Sequence, residues 1–91
     1  MTLVCSDNLD GPYPSIIFED ERYLYLFYQE GTNMSRPRLV LFPAGYPIAE
    51  KEYCIIWNEG DAVAGYELPG ITIDWYALAR NPLPYVIEAM L

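Results

Sequence analysis

Histidine is absent from this chain of 91 residues. That removes the commonest general base and the commonest zinc ligand together. Basic residues are scarce as well, five against thirteen acids, for a net charge of −8. They are Arg22, Arg36, Arg38, Lys51 and Arg80, and only Arg36 and Arg38 lie close in sequence. Direct binding to nucleic acid or to an anionic lipid surface wants the opposite sign, clustered, so neither is expected. A basic protein partner would suit this balance, although acidity also keeps an aromatic-rich domain soluble.

Cysteine is limited to Cys5 and Cys54, far apart and without a CxxC pair. One disulfide is conceivable, but two cysteines in such a chain are more often reduced, and reduced thiols are the expectation. No apolar run approaches the roughly 20 residues that span a bilayer. The longest, "YLYLFY" (23–28), is strand-sized. The opening "MTLVCSDNLD" has an acid where a signal peptide carries lysine or arginine. A cytoplasmic protein with access to the nucleus is expected.

Chemistry is equally sparse. The six glycines are isolated in turns, so no phosphate loop is present. "DNLDG" lacks the further oxygen ligands and distal Glu of an EF-hand. Ser6, Ser15 and Ser35 have no base within a motif. The "EDE" at 19–21, with Glu59, Asp61, Glu67 and Asp74, could supply an acid and a base, yet acids in turns are usually solvated charges. The expectation is a protein that is not an enzyme and that uses no cofactor, metal or small-molecule substrate.

What is present points to β structure. With 53% apolar and 15% aromatic residues the chain is too hydrophobic to be disordered, and its length suits one domain over 1–91. Residues 1–15 read as an irregular lead. In "SIIFEDERYLYLFYQEG", Leu24, Leu26 and Tyr28 fall on one face of a strand, with Tyr23, Tyr25 and Phe27 on the other. Both faces should therefore be covered. "TNMSRP" reads as a loop, "RLVLF" (38–42) as a strand stopped by Pro43, and "AGYP" as a turn. "KEYCIIW" (51–57) and "AVAGYEL" (62–68) read as antiparallel partners across the "NEGD" turn. "ITIDWY" (71–76) alternates with period two, and "YVIEAML" (85–91) reads as a last strand. "DWYALAR" could form one helical turn, which Pro82 and Pro84 would stop from extending. Trp57 and Trp75 are expected in the core, while Tyr66 and Tyr76 are open candidates for an interface.

The stretch from Trp57 to Asn81 resembles the PH-like domain of the pICln family, nucleotide-sensitive chloride-conductance regulators that are also methylosome subunits. A strand ends at Trp57, the acidic "NEGD" turn follows, and Gly65-Tyr66 sits where the family has glycine before an aromatic. Leu68, Thr72 and Ile73 continue the pattern, and "YALAR" (76–80) matches the family's Ala-Leu and basic residue at Ala77, Leu78 and Arg80. The likeness extends over about residues 46–91. It implies an antiparallel PH-like sheet or partly open barrel, here expected to lack its last strand and C-terminal helix.

The resemblance further implies a non-catalytic assembly chaperone. Such a protein holds Sm proteins before the spliceosomal snRNP core assembles on snRNA, and presents them to an arginine methyltransferase complex. Sm proteins pair through strand edges, so the expected contact is a free edge. Thr72, Asp74, Tyr76, Tyr85 and Ile87 are the residues expected near it. The alternative class is a small acidic inhibitor, such as a phage anti-defence protein, whose carboxylates imitate nucleic-acid phosphates against a basic groove.

Overall fold

The computed structural model describes residues 1–29, 36–47, 54, 59–68 and 73–91. Its centre is one open antiparallel sheet of five strands in simple meander order. The strands are β1 (Thr2–Asp7), β2 (Ser15–Glu19), β3 (Tyr23–Gln29), β4 (Pro37–Pro43) and β5 (Ala64–Glu67). Two short helices close the chain, α1 (Trp75–Arg80) and α2 (Leu83–Met90). The architecture is thus mainly β, as the alternating sequence pattern requires, and is consistent with a partial PH-like fold.

The two-faced character of β3 explains the layering. Tyr25 and Phe27 share a face with Ile16 and Phe18 of β2 and with Leu39 and Leu41 of β4, and all six are buried. Leu68, Leu78, Trp75, Tyr85 and Val86 complete this first cluster, so the C-terminal helices cover that face. Leu24 and Leu26 point the other way, beside Ile17, Val40 and Phe42. That second cluster is closed by Cys54, with Tyr46, Ala62 and Cys5 packed around it. Fully burying each such side chain stabilises the fold by about 1.5–3 kcal/mol. "YLYLFY" needs no polar face because both sides of its strand are covered, with only Tyr23 and Tyr28 at its ends partly exposed.

Turn chemistry matches the residues. Asp20 sits between β2 and β3 and accepts hydrogen bonds from the backbone N–H groups of Arg22 and Tyr23, at 2.8 and 2.9 Å. After β4, the Tyr46 N–H donates to the Pro43 carbonyl at 3.1 Å across a turn in which Gly45 takes φ +81°. Any other residue would be strained at that φ.

Several expectations are corrected. Residues 2–7 form a strand rather than an irregular lead. Its period-two signal is broken because the register slips between Leu3 and Cys5, a bulge that isolates Val4. The strand expected over 85–91 is helical. Pro82 stands at the N-cap of α2 and Pro84 lies in its first turn, where a missing N–H costs nothing. The same prolines that end α1 therefore start α2. Trp75 and Tyr76 are helical too, so no strand runs through 71–76, although 69–72 lie outside the described residues. β5 pairs with β4, from Arg38↔Glu67 to Leu41↔Ala64, and the pairing expected with 51–57 falls outside the described residues. Of that stretch only Cys54 is described, in a turn at φ +49°. Trp57 and most of the 32–37 loop fall outside the described residues.

The cysteines are corrected as well. Cys5 and Cys54 form a disulfide with Cα atoms 5.7 Å apart. Their separation of 49 residues in sequence hid a contact that brings Cys54 to β1. The left-handed backbone at Cys54 costs on the order of 1–3 kcal/mol for a residue with a Cβ.

Candidate partner-binding surface

Of the five residues expected at a partner edge, the four that are described, Asp74, Tyr76, Tyr85 and Ile87, lie at or in helices and not on a strand edge. Asp74 is the N-cap of α1, its Oδ1 accepting from the N–H groups of Tyr76 and Ala77, both at 3.1 Å. Its role is local and structural. Tyr76 is 47% exposed on α1, and its hydroxyl donates to Asp10 at 2.6 Å. That hydrogen bond, ahead of any burial, raises the Tyr76 hydroxyl above its ordinary pKa. Tyr85 is half-buried and packs into the first cluster. Ile87 is 59% exposed and lies on the outer side of α2 with Leu83 and Met90. Thr72 lies outside the described residues. The structure brings Tyr76 and Ile87 to the surface but puts neither on a strand.

Among the described residues the strand edges are β1 and β5. The β1 edge is interrupted by the bulge at Val4, a common device against foreign pairing. The β5 edge is short but regular. The Leu68 N–H donates to the Pro37 carbonyl at 3.1 Å, one step beyond the Arg38↔Glu67 pair. In antiparallel pairing, hydrogen-bonded pairs alternate with pairs whose N–H and C=O groups turn away. By that alternation Gly65 and Glu67 present theirs outward. Gly65 is exposed, and a Cβ there would approach the Arg38 guanidinium to 2.9 Å. Arg38 in turn donates to the Tyr28 hydroxyl at 3.4 Å. Glu67 accepts a salt bridge from Arg36 at 3.2 Å, both side chains more than half exposed. An ion pair so exposed contributes about 0–1 kcal/mol.

Acid is concentrated at one end of the sheet. Glu19 ends β2, Asp20 and Glu21 follow it in the β2–β3 connection, and Glu59 and Asp61 are the first and last residues of a short 3-10 turn. Two hydrogen bonds hold these loops together. The Gly45 N–H donates to Glu19 at 3.0 Å, and the Tyr46 hydroxyl donates to Asp61 at 2.9 Å. Asp20 also accepts from the buried Tyr25 hydroxyl at 2.6 Å. Burial works to raise the Asp20 carboxyl, but the bonds from Tyr25, Tyr23 and Arg22 outweigh it and hold the group below its usual value. Burial first, then the Asp20 carboxylate, pushes the Tyr25 hydroxyl up to about 12. Sequence reasoning singled out the run at 19–21 but not its nearness to Glu59 and Asp61, which only the fold shows.

No group of three His, Cys, Asp or Glu side chains is arranged to hold a metal among the described residues. No helix among them is long and apolar enough to cross a membrane. No family model matches the chain, and neither the curated proteins nor the solved structures yield a match. The likeness to the pICln family therefore rests on the sequence of about residues 46–91 alone.

Proposed function

We propose that this chain is a non-catalytic binding domain that holds basic Sm proteins before they assemble on snRNA, engaging them along the outer edge of β5. The observation that carries this reading is that, among the described residues, β5 is a regular edge strand lying inside the stretch that resembles the pICln family. Its outward groups at Gly65 and Glu67 are a template for a partner strand. The net charge of −8 steers a basic partner toward the domain. In this reading the protein works in the cytoplasm with access to the nucleus, an arginine methyltransferase complex is its second partner, and it contacts neither nucleic acid nor membrane.

The test is a pull-down with purified Sm heteromers at low and near-physiological salt, using the wild type and Glu67→Pro. Proline there removes one outward N–H without taking a ladder bond from β4. Stoichiometric capture by the wild type, weakened at least about tenfold (about 1.4 kcal/mol) in Glu67→Pro, is the expected result. Failure of the wild type to retain any Sm protein would remove this function.

The clustering of Glu19, Asp20, Glu21, Glu59 and Asp61 at one end favours a second reading, an acidic inhibitor that occupies the groove of a basic nucleic-acid-binding protein. Competition with DNA or RNA for such a protein, unaffected by Glu67→Pro, would select it.

A further inference from the structure

We infer that the edge of β5 reads the charges of a partner strand, taking a carboxylate opposite Gly65 and a basic side chain opposite Glu67. This preference rests on the reading above, in which that edge is the contact surface. A glycine in the middle of the strand is the first sign of it. Among the described residues Gly45 is the only glycine with positive φ, so the backbone at Gly65 does not demand the residue. Glycine inside a strand weakens it and often marks a close approach by another group. Here the group is Arg38. A Cβ at Gly65 would lie 2.9 Å from Nη2 of Arg38, so the missing side chain is what lets the guanidinium lie over β5.

Register fixes the face on which this happens. Tyr28, Arg38 and Glu67 align across β3, β4 and β5, as do Leu26, Val40 and Gly65. These positions belong to the second face of the sheet, where Leu26 and Val40 are buried and Tyr28 packs beside them. Arg38 therefore spans that face, with Nη1 donating to the Tyr28 hydroxyl at 3.4 Å and Nη2 over Gly65. Gly65 and Glu67 are both exposed.

Every ladder in this sheet is antiparallel, and a partner strand added in the same way would face Gly65 and Glu67 in hydrogen-bonded pairs. Its two facing side chains then lie on the second face. The one opposite Gly65 meets the Arg38 guanidinium in place of a β5 side chain, which suits a carboxylate. The one opposite Glu67 meets a carboxylate that Arg36 reaches from the β4 side through Oε1. A carboxylate accepts several hydrogen bonds, so a basic residue of the partner joins the same group. Opposite charges across a ladder attract, and like charges repel. Read from its N-terminus, the antiparallel partner carries a basic residue and, two positions later, an acidic one.

The experiment uses three synthetic strand-forming peptides of threonine and valine that differ at two positions on one face. One has lysine then glutamate, one has the same pair reversed, and one has threonine at both. Amide shifts of Gly65 and Glu67 in the full chain are followed by NMR as each peptide is added at low salt. The lysine-then-glutamate peptide is expected to bind several-fold more tightly than the reversed one, a ratio that shrinks toward one near about 1 M salt. In Gly65→Ala the new Cβ displaces the flexible end of Arg38, and in Glu67→Gln the negative charge is gone. Each variant should lower the ratio at least about twofold, with the threonine peptide as reference. Equal binding of the two charged peptides to the wild type would overturn the inference, as would a ratio unchanged in both variants, or no shift at Gly65 and Glu67 with any peptide. A pull-down of Sm heteromers with the same wild-type sample separates the causes. Sm proteins retained without any charge preference discard the preference alone; loss of both discards the edge as a binding surface.

Discussion

At the scale of single residues, the contact that says most about the molecule is the hydrogen bond from Tyr25 to Asp20. It joins a buried strand residue to the acidic end, and it ties stability to pH from both sides. Tyr25 is favoured as the neutral phenol in the fold, since its pKa rises from an ordinary 10.0 to about 12. Its contribution is complete below pH 10 and is lost as pH climbs toward about 12. Asp20 is favoured as the carboxylate, since its pKa is lowered from 3.8. Its contribution is present above that value and is lost as pH falls below it. Tyr25→Phe removes the phenol and one of the three donors to Asp20. The variant is expected to unfold at lower denaturant concentration at pH 7, by about 1–2 kcal/mol, and to show a smaller loss of stability between pH 10 and 12 than the wild type. Denaturant titrations at pH 7, 10 and 12 check both parts; an alkaline limb identical in the two proteins would remove Tyr25 as its source.

At the scale of elements, the central strands were legible and the ends of the chain were not. Strands β2, β3 and β4 announce themselves because apolar side chains on both faces satisfy a strand and no helix of that length. β1 carries the same kind of residues but its bulge breaks the alternation, so its sequence looks irregular. The C-terminal helices were hidden by a double meaning. Asp74 and Pro82 both read as strand or turn residues, yet one is an N-cap and the other begins a helix. The disulfide was conceivable from two cysteines but was set aside for reduced thiols, because only the fold shows that Cys5 and Cys54 meet. The candidate site suffered in proportion. Its five residues were placed by a strand assignment at 71–76 and 85–91, whereas the strand edges among the described residues are β1 and β5. The cap has its own consequence. Asp74→Ala leaves the N–H groups of Tyr76 and Ala77 without their side-chain acceptor, and α1 has only six residues over which to absorb the loss. A destabilisation of about 1 kcal/mol is expected, with Asp74→Asn recovering most of it. Equal loss in both variants would mean that charge, not capping, is what Asp74 supplies.

At the scale of the whole molecule, charge and edge act on different steps of association, and that separates the two readings of function. Long-range steering by the net charge of −8 raises the rate of encounter with a basic partner and fades with salt. Strand pairing along β5 acts after encounter, on how slowly the complex comes apart. Glu21 and Glu59 are exposed, sit at the acidic end, and are far along the sheet from Glu67. Glu21→Lys with Glu59→Lys moves the net charge from −8 to −4, each substitution adding two positive charges. If the molecule is a chaperone that pairs through β5, this double variant should bind Sm heteromers with an association rate lowered several-fold at low salt and nearly normal near 0.15 M salt, its dissociation rate unchanged. Glu67→Pro should show the reverse, a faster dissociation at either salt. If the acidic end is itself the contact, as in a phosphate mimic, the lysines would meet the partner's own basic groove. Dissociation would then accelerate at both salts and Glu67→Pro would be silent. Surface-plasmon measurements of the two rates at two salt concentrations distinguish these outcomes.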